Sequence, residues 1–233
     1  MKPADLRRAR PWDSWSARGI VVDLDGVLLS STEARRAQWR WWADRVGADA
    51  VEVAAFAAGR RPADVVASFA PDRDPHAERA AVRRRGELLL RACQRPAGVR
   101  GFVRALPEER FAVVTGLDGA EARAHLARAR LSTPAVLVTG DEVTAGRPDP
   151  EGHLRAGQRL GIEPHALIAI ESTGVGLDAA AAVGMTPLLV GSPPDPTRGR
   201  SAAVHVGDLS RLHVILGSDG VTLQATREPA RWP

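Results

Sequence analysis

Short apolar runs that end in a small, hydroxylated or acidic residue recur along this chain, and they limit its fold more than any other feature. The first, Ile20 to Leu24, is β-branched and apolar except for Asp23. "FAVVTG" (Phe111 to Gly116), "AVLVTG" (Ala135 to Gly140), "ALIAIES" (Ala166 to Ser172) and "TPLLVG" (Thr186 to Gly191) repeat the pattern. None alternates apolar with polar residues, so each reads as a strand buried on both faces. Helical patterns separate them: "GAEARAHLARARL" from Gly119, "PEGHLRAGQRLGI" from Pro150 and "GLDAAAAVGM" from Gly176. Strands alternating with helices predict an α/β, doubly wound parallel sheet of Rossmann-like type. Ligands of such sheets bind at the carboxyl ends of the strands.

Between Ser31 and Gly98 the alternation stops, and the signals are helical throughout, from "EARRAQWRWWADRVG" to "AERAAVRRRGELLLRACQ". A helical insert directly after the first strand predicts a cap domain over the active edge. The expected division is a loosely ordered N-terminal extension over 1–18, a core from 19–30 and 99–233, and an α-helical cap over 31–98. Trp39 and Trp42, three apart, share a face and are expected in the cap core, with Trp41 free to face the cleft. The loop "GSPPDPTRGRS", Gly191 to Ser201, reads as a connector near the cleft.

A chain of 233 residues can bury a sizeable core. Its single cysteine allows no internal disulfide, which favours the cytoplasm, and Cys93 reads as a helical core residue. The formal charge is +4, but the arginines are spread over the whole length, not gathered into the stripe of a nucleic-acid binder. No stretch approaches the ~18 apolar residues of a membrane span. No nucleic-acid or membrane partner is expected; a small anionic substrate suits the charge balance, and the chain is expected to be a monomer or weak homodimer.

"VVDLDGVLLS" adds the chemistry. Two carboxylates leave the end of a buried run, where each costs several kcal/mol unless a cation or several donors hold it. Asp23 and Asp25 can reach one volume above the sheet, with Gly26 allowing a sharp turn. One can serve as nucleophile and the other as general acid, with a Mg²⁺ ion and phosphate oxygens between them.

This motif resembles the first motif of the haloacid dehalogenase-like hydrolase superfamily, and the likeness runs from Ile20 to about Leu216. "VVTG" resembles the second motif, "VTAGRPDPEGHLRAGQRLGI" the third and "AIESTGVGLDAAAAVGM" the fourth. The cap stretch "AFAAGRRPADVVASFAP" is similar to that of sugar and polyol phosphate phosphatases and of β-phosphoglucomutase. The resemblance implies that Asp23 attacks phosphorus to form an aspartyl-phosphate, and that Asp25 protonates the leaving alcohol and later activates water. It places Thr115, Gly116 and Arg147 on the phosphoryl group and Arg60 on the substrate. Mg²⁺ would be bound by Asp23, the Asp25 carbonyl, Glu171 and Ser172.

Three positions depart from the family pattern: Arg147 stands for a lysine, Ala58 for a histidine and Ser172 for a metal-binding aspartate. The implied activity is hydrolysis of a small phosphorylated sugar or polyol. Its alternatives are a phosphomutase of the β-phosphoglucomutase type and a catalytically impaired phospholigand-binding relative. Dehalogenation is disfavoured because it does not need the second acid. Asp178 is expected in a surface or capping role and Asp149 as a helix cap. Asp141 and Glu142 border the active edge as weaker candidates, and no histidine is assigned a catalytic role.

Overall fold

The apolar runs pack side by side as five neighbouring strands of one parallel sheet. The structure, a computed structural model, describes residues 7–10, 12–89, 91, 93–191 and 204–226. The sheet's strands are β1 (Arg7–Arg8), β3 (Gly19–Asp23), β4 (Phe111–Val114), β5 (Val136–Val138), β6 (Leu167–Glu171), β7 (Thr186–Val190) and β8 (Val204–Val206). Their order is β1-β8-β7-β6-β3-β4-β5, with parallel pairing throughout. The chain steps outward from β3 to β4 and β5, then restarts on the other side at β6. The switch point, where open α/β sheets bind ligands, lies between β3 and β6.

The pleat assigns alternate residues to two cores. Ile20, Val22, Phe111, Val113, Ile168 and Ile170 join one apolar cluster with Val99 and Phe102 of α5 (Val99–Arg104) and Leu126 of α6 (Gly119–Arg128). Val21, Ala112, Val114, Leu167 and Ala169 join the other, with Ala156 of α7 (Glu151–Leu160) and Ala180 of α8 (Gly174–Ala182). With helices on both faces, β3, β4 and β6 are buried at every position, which is why these runs show no polar alternation.

Two regions depart from the sequence expectations. The N-terminal stretch is tied down where it is described: β1 pairs with β8, and β2 (Ser14–Ala17) joins a second, antiparallel sheet with β10 (Val221–Ala225) and β9 (Leu212–Leu216). Cys93 is half-buried and lies beyond the helix expected to hold it. Residues 192–201 of the proline-rich loop fall outside the described residues.

The cap comprises α1 (Thr32–Val46), α2 (Ala50–Phe56), α3 (Pro62–Phe69) and α4 (Pro75–Leu89). It has its own apolar cluster around Trp39, Trp42, Val53, Val65, Val66 and Val82. Trp39 and Trp42 meet edge to face at 5.6 Å, and the Trp42 indole donates to Glu78 at 2.9 Å. Full burial of each large apolar side chain contributes about 1.5–3 kcal/mol. Trp41 packs against the same cluster beneath the Arg85 guanidinium, 5.5 Å from its ring centre. Arg35, Gln38, Trp39 and Trp42 share one helical face, and that face carries Arg35 to the core.

Candidate active site

Parallel register sets the carboxyl ends of three strands beside one another. Asp23 pairs with Val114 and Val22 with Ile170, so Asp23, Thr115 and Glu171 emerge together. Gly26, at φ +85°, turns the chain back; a Cβ there would lie 2.7 Å from the Ser172 side chain. Glycine is therefore required both by the left-handed conformation and by the close approach of β3's exit to β6's.

Asp23 is 3% exposed. Its Oδ1 accepts from Arg147 Nη1 at 3.0 Å and from the Leu24 amide at 2.9 Å. Arg147 Nη2 donates to the Val114 carbonyl at 2.9 Å and to Glu171 Oε1 at 3.0 Å. The guanidinium thus joins two buried carboxylates through separate nitrogens, a fork that a lysine ammonium cannot copy. His153 Nε2 lies 2.8 Å from the same Glu171 oxygen. The other oxygen, Oε2, fills the space over Gly176 where a Cβ would clash, in the first turn of α8. Burial pushes the Asp23 carboxyl up to about 7; Arg147 opposes the rise, and Glu171 and Asp25 add to it.

Ser172 Oγ is 2.7 Å from the Asp25 carbonyl and 3.0 Å from Asp23 Oδ2, close enough to donate to either. A hydroxyl has one hydrogen, so these two oxygens share it. The raised Asp23 carboxyl fits this arrangement, since a protonated Oδ2 can itself donate to Ser172.

Asp25 turns away from Asp23. Its carboxylate accepts from the Ser31 hydroxyl at 2.7 Å and from Arg35 Nε at 2.9 Å, with His125 Nδ1 at 3.4 Å. Arg35 also donates to Glu121 at 2.9 Å and to Gln38 at 2.9 Å. Burial alone would raise the Asp25 carboxyl, but Arg35, His125 and Ser31 outweigh it and hold the group well below the usual carboxylate range. The proton-donating role expected for Asp25 is not set up in this conformation, because the side chain is ionised and spent on the cap.

Thr115 is buried and Gly116 half-buried at the end of β4 beside Asp23. The backbone carbonyl of Arg60 packs directly over Gly116, and Gly59 packs against Thr173 and Val175. Arg60 therefore reaches the site through its main chain. Its guanidinium donates to the Phe56 carbonyl at 2.6 Å and lies 4.2 Å from the centre of the Phe56 ring. A cavity of about 20 Å³ remains between Thr115, Gly116 and Arg147 on the core and Arg61 on the cap, room for a single water.

The family model for haloacid dehalogenase-like hydrolases matches residues 17–184, most of the chain. The chain belongs to the haloacid dehalogenase-like hydrolase family. This hydrolase is 28% identical to hexitol phosphatase A of Escherichia coli over 220 residues, covering 87% of this chain and 96% of the relative. It is 30% identical to fructose-1-phosphate phosphatase YqaB of the same organism, over 72% of this chain and 93% of the relative. Among solved structures, a hydrolase from Pseudomonas syringae superposes with a TM-score of 0.70 at 18% identity, covering 82% of this chain and 94% of that one. CbbY from Rhodobacter sphaeroides, in complex with phosphate, superposes at 0.62 with 20% identity over 83% and 95%. These likenesses establish the fold of the hydrolase.

Phosphatases of this family generally use Mg²⁺, and the residues of this hydrolase do not fit that ion. Of the four expected groups, Asp23, the Asp25 carbonyl and Ser172 come together, but they supply one carboxylate, and Arg147 already pairs with it. Glu171 is engaged by Arg147 and His153 through Oε1, and its buried, unpartnered Oε2 is turned to Gly176 of α8. Among the described residues no group of three or more His, Cys, Asp or Glu side chains could hold a metal ion. A hard dication gains its affinity from charged oxygens, and here a guanidinium has taken their charge.

The remaining acids have structural duties. Asp149 accepts from the Glu151 amide at the start of α7. Asp141 accepts from the Gly119 amide and Glu142 from the Thr139 amide. Asp178 lies within α8. Sequence reasoning missed Arg35, Glu121, His125 and His153. One signal was present: His153, Ala156, Gly157 and Leu160 share one face of α7, so a histidine stands on a packed face and needs a buried partner.

Proposed function

We propose that this hydrolase cleaves phosphomonoesters of small polyols or sugars, with Asp23 as the nucleophile. The observation that carries the reading is the Asp23 carboxylate at the end of the central strand, 3.0 Å from a buried guanidinium and beside Thr115 and Gly116. The names of the relatives, a hexitol phosphatase and a fructose-1-phosphate phosphatase, support the substrate class. The work is taken to occur in the cytoplasm; no helix among the described residues is long and apolar enough to cross a membrane.

An ester entering between Thr115 and Arg147 presents its phosphorus to Asp23. A carboxylate oxygen attacks in line, the bond to the alcohol oxygen breaks, and an aspartyl-phosphate remains. Arg147 neutralises the phosphoryl oxygens, and Thr115 with the Gly116 amide fixes their direction. The departing alkoxide needs a proton. Asp25 takes that proton from solvent while Arg35 is withdrawn with the cap, and passes it to the alkoxide oxygen. Asp25 then takes a proton from the water that hydrolyses the aspartyl-phosphate, restoring Asp23 and releasing phosphate. Proton transfer of this kind contributes about 10²- to 10⁴-fold.

The test is phosphate release from a panel containing hexitol phosphates, fructose 1-phosphate and glycerol 1-phosphate, with Asp23→Asn as the blank. Release at least about a thousandfold above that variant on some member is the expected result. Release no faster than the variant on every ester refutes the reading. Isomer formation without net phosphate would make the chain a mutase instead.

A further inference from the structure

We propose that Arg147 charges the phosphoryl site in place of a divalent cation, so that a phosphate oxyanion binds at Asp23 without metal. The inference rests on the reading that phosphoryl groups bind here and adds how their charge is met. Two observations carry it independently.

The first is Ser172. It bridges Asp23 Oδ2 and the Asp25 carbonyl at 3.0 and 2.7 Å, the two oxygens to which the family resemblance assigns the cation. Its hydroxyl hydrogen already serves them, and a neutral group adds no charge to attract a dication.

The second is the donor count on Arg147. A guanidinium has five N–H groups; one goes to Asp23, and Nη2 serves Val114 and Glu171. Two N–H groups are left without a partner among the described residues, on a side chain that borders the cavity beside Thr115 and Gly116. A lysine in the same place, with three donors, would have none to spare after the same contacts. The two spare N–H groups of Arg147, on Nε and Nη1, lie on opposite edges of the guanidinium, so arginine holds both carboxylates and still has a single charged donor to turn to an oxyanion. Arginine for lysine at position 147 leaves the charge of the chain unchanged, and serine for aspartate at position 172 removes one negative charge, so the two positions together lessen the need for a bound cation.

The test is equilibrium binding of inorganic phosphate to the full chain, with excess EDTA and again with millimolar Mg²⁺. Equal affinity in the two buffers is expected. Arg147→Lys, checked for folding by circular dichroism, is expected to weaken metal-free binding about 10- to 150-fold, the loss of a hydrogen bond to a charged group. Ser172→Asp places a second carboxylate against Asp23, so its metal-free affinity falls and Mg²⁺ restores it. Phosphate binding by the native chain that requires Mg²⁺ overturns the inference and leaves the phosphatase reading standing. Metal-free binding with no turnover of any ester does the reverse. Absence of phosphate binding in both buffers, or a Ser172→Asp variant indifferent to Mg²⁺, also overturns it.

Discussion

Arg35→Met keeps a stem of similar length and deletes the guanidinium that joins cap to core. In the native protein that group meets Asp25 and Glu121 at 2.9 Å each, with side-chain exposures of 14% for Arg35, 21% for Asp25 and 8% for Glu121. Removing one partner of a buried pair costs about 3–5 kcal/mol, and an exposed pair is worth about 0–1 kcal/mol. Exposure of a fifth at Asp25 places the loss between these limits, near ~2–3 kcal/mol. The pH dependence follows from the lowered Asp25 carboxyl. A depressed folded value adds stability above the unfolded value, near pH ~4, that is lost as pH falls through the folded one. The difference between native and variant is therefore full at neutral pH and shrinks in acid. Urea denaturation followed by tryptophan fluorescence measures it, and Asp25→Asn with the double variant completes a cycle whose coupling is expected at about 1–3 kcal/mol. Additive single losses, or a difference that grows in acid, would refute the assignment of Arg35 as the group that holds Asp25.

Asp23→Asn is expected to raise the melting temperature, and by more at alkaline than at acid pH. The Asp23 carboxyl is raised to about 7, so its contribution is full below the unfolded value near ~4 and is lost as pH rises through the folded one; equal shifts at both pH values count against this. Asp25→Asn should lose far more rate on alkyl than on aryl phosphates, because a phenolate leaves without a proton, and matched losses in the two assays would remove Asp25 as the acid. Arg61→Met deletes donors to the Val143 carbonyl at 2.6 Å and the Thr144 carbonyl at 2.9 Å. Faster amide hydrogen exchange in α3 and across residues 140–146 is expected, and unchanged exchange there would show that Arg61 does not hold the cap down.

Where burial spans both faces of a strand, the sequence was readable. Every apolar run named from composition alone lies within one or two residues of a strand of the parallel sheet. β9, β10 and β2 were missed because they alternate: Val221, Leu223 and Ala225 are buried while Thr222 and Gln224 are half-exposed, a weaker signal than a continuous run. Asp23, Thr115, Glu171 and Arg147 were recognisable as residues at strand ends or in motifs. The direction of Asp25 was not. Side chains two apart point the same way along a strand, but the strand stops at Asp23, and the turn at Gly26 lets Asp25 swing toward Ser31. Its partners Arg35 and His125 come from the cap and from α6, and the Arg35 contact with Glu121 spans 86 residues. No local pattern encodes such a meeting.

With room for one water beside Arg147, the closed molecule works as an airlock. Arg35 grips Asp25 and Glu121, Arg61 grips the carbonyls of Val143 and Thr144, and Arg79 grips Asp118 at 3.2 Å. All three arginines belong to the cap, so the cap must loosen these contacts before an ester has room beside Arg147. Dissolved salt has opposing effects on that traffic. It screens the pull of a chain of net charge +4 on an anion, and it loosens the ion pairs that keep the door shut. Throughput then peaks at an intermediate ionic strength, instead of falling steadily as it does for an open basic cleft.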